Sequence, residues 1–72
     1  MVFQLWELES ANLIADYDSE EAALDLVRTA VRRHGRDYVL SWELAVAPED
    51  GDAETLACGE ELIQRAFKGI AA

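Results

Sequence analysis

Seventy-two residues with one cysteine and one histidine leave room for a single domain with one core, and they exclude the usual staples of a small domain, an internal disulfide and a structural zinc site. The 51% apolar content must supply the cohesion, with a second copy of the chain as the available reinforcement. A formal charge of -9 disfavours nucleic acid and anionic membranes, whose phosphates are gripped by Lys and Arg, and favours a protein partner that is basic or neutral.

No apolar run approaches the ~18 residues of a membrane span, and no basic leader precedes Val2, so a soluble, reducing, cytoplasmic setting is the expectation. Val2 to Leu8 is rich in β-formers, and Leu13 to Tyr17 follows the turn residues Glu9-Ser10-Ala11-Asn12. This predicts a hairpin in which Asn12 takes any left-handed position. Two registers are open. A two- or four-residue loop puts Trp6, Leu8, Leu13, Ala15 and Tyr17 on one face, whereas a three-residue loop gathers Phe3, Leu5, Leu13, Ala15 and Tyr17.

Asp18 with Glu21 reads as a capping box, Ser19 being the competing cap, and a helix then runs to Gly35. Leu24, Val27 and Val31, with Ala23 and Ala30, form its apolar stripe, and Asp25, Arg28, Thr29 and Arg32 are expected on the wet side. Acids at its start and Arg32, Arg33 and His34 in its last turn complement the helix dipole. Tyr38 to Val46 alternates strictly, with Tyr38, Leu40, Trp42, Leu44 and Val46 on one face and Val39, Ser41, Glu43 and Ala45 on the other, which predicts a strand stopped by Pro48.

After the turn Glu49 to Asp52, Glu54 to Cys58 reads as a short returning strand, and Gly59 opens a final helix with Leu62, Ile63, Ala66 and Phe67 inward. A single helix from Ala53 to Phe67, capped by Asp52, is the alternative, with Gly59 costing it ~1 kcal/mol. Trp6-Glu7-Leu8 recurs as Trp42-Glu43-Leu44, and Glu20-Glu21 recurs as Glu60-Glu61, which suggests ββα twice. The expected fold is α+β: a small antiparallel sheet of three or four strands with two helices on one face.

The run LWELESANLIADYDSEEAAL, with the later WEL strand and CGEELI helix start, resembles short uncharacterised bacterial proteins in which a Trp-containing hairpin leads into a Tyr-Asp-Ser/Thr-Glu-Glu-Ala-Leu helix start. That resemblance implies a fold and no known activity. A shorter likeness, confined to Glu20-Glu21-Ala22-Ala23-Leu24 after a hairpin, is to HicB-type antitoxins, which also lay a helix across a small sheet. Their longer sheet and the segment that precedes their helix are not found in this sequence.

Nothing in the sequence assembles a nucleophile with a base, a metal-ligand set or a phosphate-cradling loop, so no catalytic residue, cofactor or metal is expected. Cys58, before a helix start flanked by Glu60 and Glu61, reads as a small buried inert residue rather than a nucleophile, and His34 as a helix-end residue. Glu49 to Glu54 lacks the ligand spacing of a calcium loop and reads as a solvated acidic turn. Arg28, Arg32, Arg33 and Arg36 form the basic patch, a candidate anion or RNA contact set against local pairing with Asp25 and Asp37.

Trp42 belongs to the core, while the candidate interface residues are Val39, Glu43 and, if the hairpin register turns it to the face away from the helices, Trp6 as the anchor. The functional expectation is a non-catalytic interaction module that binds a protein partner or forms a homodimer.

Overall fold

The computed structural model describes residues 1–69. The chain runs β1 (Val2–Glu7), β2 (Asn12–Tyr17), α1 (Glu20–His34), a 3-10 turn (Arg36–Val39), β3 (Trp42–Ala47), β4 (Glu54–Cys58) and α2 (Glu60–Phe67). All neighbouring strands are antiparallel in the order β2-β1-β3-β4. Helix α1 packs over β1 and β2, α2 over β3 and β4, and the helices touch each other, so the predicted ββαββα architecture is present as two ββα halves joined through the β1–β3 pair.

Burial explains why the helices sit where they do. Ala23, Leu24, Val27 and Ala30 of α1 and Leu62, Ile63 and Ala66 of α2 close over Leu5, Trp42, Leu44 and Ala57 in one cluster. Each helix alone would leave an apolar stripe wet; laid side by side on one sheet face they share a single core.

The two halves repeat more closely in structure than in sequence. In the first hairpin Leu5 faces Ala15 and Trp6 faces Leu13, leaving Ile14 as an extra residue in β2. In the second, Leu44 faces Ala57 and Ala45 faces Thr55, leaving Leu56 extra in β4. Both extra residues pack against the core. Leu5 therefore corresponds to Leu44 and Ile14 to Leu56, which puts the Trp-Glu-Leu likeness out of register with the structural repeat. Trp42 points into the core, and Trp6, paired with Glu43, points the other way.

The same bulge resolves the hairpin register by combining the two alternatives. A bulge turns the side chains beyond it onto the opposite face. The loop has four residues, 8–11, and Trp6 and Leu13 share the outer face, but Ile14 resets the alternation so that Phe3, Leu5, Ala15 and Tyr17 face inward. The expectation that Leu13 shares a face with Ala15 and Tyr17 fails for that reason. The left-handed position is Ala11, with φ 57°, not Asn12. The turn is held by Glu7, whose carboxylate accepts from the Glu9 and Ser10 amides and from the Ser10 and Ser41 hydroxyls. These bonds, the Ser10 hydroxyl foremost, pull its pKa down from 4.5 to about 2.

At the start of α1 the cap is Ser19, whose Oγ accepts from the Ala22 amide at 3.2 Å, so Asp18 lies one residue outside the helix. Glu21 does not close a capping box; it pairs with Arg28. Gly35, at φ 92°, ends the helix as predicted, its amide bonding the Val31 carbonyl.

The strand predicted from Tyr38 is shorter. Residues 36–39 form the 3-10 turn, with the Tyr38 amide on the Gly35 carbonyl and the Leu40 amide on that of Asp37, and β3 begins at Trp42. Its partner sets the limit: β1 pairs Glu7 with Trp42 and then turns, and beyond that pair only the Leu8 amide reaches back, to the Ser41 carbonyl. Without a partner strand these residues gain no cross-strand hydrogen bonds, and the chain makes the local bonds of a 3-10 turn instead. Tyr38 and Leu40 are consequently exposed and Val39 is fully buried, the reverse of their expected faces.

Residues 54–58 are the returning strand and not part of a longer helix. Gly59 makes the corner to α2 at φ 58°, where an added Cβ would lie 3.1 Å from the Leu40 carbonyl oxygen, so both conformation and space require glycine.

Candidate functional site

The helices cover one face of the sheet, and none of the described residues lies over the other. Cross-strand pairing arranges that open face in rows. Leu13, Trp6, Glu43 and Cys58 cross the four strands in one row, and Asp16, Gln4, Ala45 and Thr55 in the next. Val2 pairs with Ala47 beyond them. Trp6 is half-buried in the middle of this surface and Leu13 is 44% exposed.

The Trp6 ring is held in place. Its Nε1 donates to Gln4 Oε1 at 3.2 Å along the same strand, and Ala45, diagonal to it on β3, is only 4% exposed although it lies outside the core cluster. An outward-facing alanine in a sheet loses that much solvent contact only beneath larger neighbours, and an aromatic ring at the diagonal position reaches it. Glu43, directly across from Trp6, accepts from Thr55 Oγ1 at 2.5 Å. The row thus presents an aromatic ring with its N–H already satisfied next to a carboxylate with a fixed position.

Charge is divided between the two layers. All six lysines and arginines lie at residues 28–36 or 65–68, in the helices or at their ends. The four strands carry Glu7, Asp16, Glu43 and Glu54 and no lysine or arginine. Among the described residues, every ion pair belongs to the helical layer: Arg28 with Glu21 and Asp25, Arg36 with Glu60, and Arg65 with Glu20. The last two tie the ends of α1 and of the turn after it to the opposite ends of α2.

No family model matches the chain. No curated protein and no solved structure matches it either.

Among the sequence-derived interface residues, Trp6 and Glu43 lie together on the open face, whereas Val39 is in the core and unavailable to a partner. Leu13, Asp16 and Gln4 also belong to this face; the bulge at Ile14 that places Leu13 and Asp16 there leaves no mark in the hydrophobic pattern. Cys58, expected to be buried, is exposed beside Glu43, because pairing across β3 puts it on the open face.

The arginine patch is dispersed by the packing. Arg28, expected on the wet side, is 7% exposed; it turns toward α2, where Nη1 donates to the Ala66 carbonyl at 2.7 Å. Arg36 is engaged with Glu60, and the Arg32 guanidinium lies 5.5 Å from the centre of the Phe67 ring. Arg33 is exposed at the end of α1, and neighbouring His34 stacks on Tyr38 with ring centres 4.3 Å apart.

A cleft of about 410 Å³ at the turn end of the sheet is lined by Glu7, Glu9, Asp37, Tyr38 and Trp42 among others, but the Glu7 oxygens are already occupied by the turn donors. The shallow apolar hollow between α1 and α2, lined by Val31, Ile63 and Phe67, is rimmed by Arg36. Among the described residues no group of three or more His, Cys, Asp or Glu is placed to hold a metal, and no helix is long and apolar enough to cross a membrane.

Proposed function

We propose that this protein is a small non-catalytic interaction module whose open sheet face binds a basic segment of another protein. The observation that carries the reading is the division of charge: in the helical layer Arg28, Arg36 and Arg65 pair with acids of that layer, while the open face carries Asp16 and Glu43 with no lysine or arginine on the same strands. Carboxylates flanking a half-exposed tryptophan offer both an apolar anchor and long-range attraction to a cationic partner.

The face is favoured over the sheet edges. Both edge strands, β2 and β4, carry a bulge, a device that spoils the regular ladder an added strand would need. It is also favoured over self-association, since two copies meeting face to face would bring together two surfaces that each carry Asp16 and Glu43 and no lysine or arginine. The alternative of anion or nucleic-acid binding through the arginines loses support because Arg28 is buried and Arg36 is paired.

The test is titration of the protein with a short peptide of alternating arginine and leucine at low and high salt, followed by sedimentation. Binding that weakens as salt rises is the expected result. Absence of binding at low salt, or a homodimer that strengthens with salt, contradicts the proposal.

A further inference from the structure

We infer that Trp6 and Glu43 together form a seat for the side chain of one arginine of that partner, its guanidinium stacked on the indole and hydrogen-bonded to the carboxylate. This rests on the open-face reading of the function and specifies the group recognised.

Three features of the pair support it. Trp6 and Glu43 are directly opposed across the central β1–β3 pair, where facing side chains leave their strands about 5 Å apart and one planar cation can reach both. Each is already oriented: Gln4 takes the indole N–H, so the ring offers its π face rather than a donor, and Thr55 fixes one carboxylate oxygen and leaves the other to accept. No cation of the chain competes for the seat, since the lysines and arginines all lie in the helical layer.

The molecule provides an internal comparison. In the helical layer Arg32 lies over Phe67, and Arg28, Arg36 and Arg65 meet carboxylates, so aromatic and carboxylate partners for guanidinium are supplied from within. On the open face the same two kinds of partner stand side by side without the guanidinium.

Arginine is preferred to lysine on physical grounds. A guanidinium is flat, sheds water more readily than an ammonium, and can stack and donate in plane at the same time, whereas an ammonium acts as a compact, strongly hydrated point charge. Leu13, on the other side of Trp6 in the same row, extends the apolar ground for the arginine's methylene stem or an adjoining apolar residue.

The experiment compares the arginine–leucine peptide with its lysine–leucine counterpart, titrated at low salt against the wild type, Trp6→Ala, Glu43→Gln and Asp16→Asn. Thermal unfolding of each variant establishes that it is folded. The expected result is tighter binding of the arginine peptide to the wild type, weakened roughly tenfold by Trp6→Ala and by Glu43→Gln, with the preference for arginine over lysine lost in both. Asp16→Asn should weaken both peptides alike and leave the preference intact. If both peptides bind equally well and Trp6→Ala binds as the wild type does, the arginine seat is refuted while the basic-partner function stands. If neither peptide binds the wild type, both readings fail.

Discussion

The helical layer and the open sheet face use the same residue types to opposite ends. On the helical side arginines are spent on the fold: Arg28 is buried between α1 and α2, Arg65 joins the end of α2 to the start of α1, and Arg36 joins the turn after α1 to the start of α2. On the open side Asp16 and Glu43 have no such counterpart, and Trp6 is held in place without being covered. Net charge alone would describe a uniformly acidic protein. The structure instead separates a layer whose arginines pair with acids from a sheet face whose acids have no lysine or arginine on the same strands.

The sharpest way to break this comparison is to disturb the core beneath the helices. Val27 is fully buried in the shared cluster, so Val27→Asp should cost more than about 4 kcal/mol, comparable with the whole stability of a domain this small. Loss of the cooperative melting transition by circular dichroism is the expected outcome. Next comes Arg28→Leu, which leaves the Ala66 carbonyl without its donor while Glu21 and Asp25, both exposed, recover water. A loss of about 1 to 3 kcal/mol in denaturant titration is expected.

A gain is expected from the turn. Ala11 at φ 57° sits where an L side chain is strained, so Ala11→Gly should stabilise by about 0.5 to 1 kcal/mol, raising Tm by several degrees in calorimetry. The smallest effect on stability belongs to Trp6→Ala on the open face, within about 1 kcal/mol, in contrast to its effect on peptide binding.

Glu7 gives a dependence on pH. Its folded pKa of about 2 lies below the ordinary 4.5, so the stabilisation from its ionised form is fully present above pH 4.5 and is lost as the pH falls through about 2. Glu7→Gln should melt below the wild type at neutral pH, and the two melting curves should converge on acidification across that interval.

The element order was legible because local signals agreed: turn residues before β2, a polar cap and a helical stripe for α1, Gly35 and Gly59 at their corners. What escaped was set by neighbours distant in sequence. The alternation at Tyr38 and Leu40 continues that of β3, yet it forms no strand because β1 turns away at Leu8. Ile14 and Leu56 are hydrophobic like their surroundings, so the bulges they make, which decide the faces of Leu13 and Thr55, are invisible in composition. Arg28 looked solvated by helical period, and only the approach of α2 gives its guanidinium a buried carbonyl to bind. Of the candidate interface residues, Trp6 and Glu43 lie on the open face, whereas Val39 is carried into the core by the 3-10 turn.

The central claim, that the open face and not the helical layer meets a cationic partner, is tested most directly by NMR mapping of the backbone amides as the arginine–leucine peptide is added at low salt. Saturable shifts confined to Gln4, Trp6, Leu13, Asp16, Glu43 and their cross-strand neighbours, with α1 and α2 unmoved, are the predicted result. Shifts centred on the α1–α2 groove around Val31, Ile63 and Phe67, with the strand amides unchanged, would contradict it.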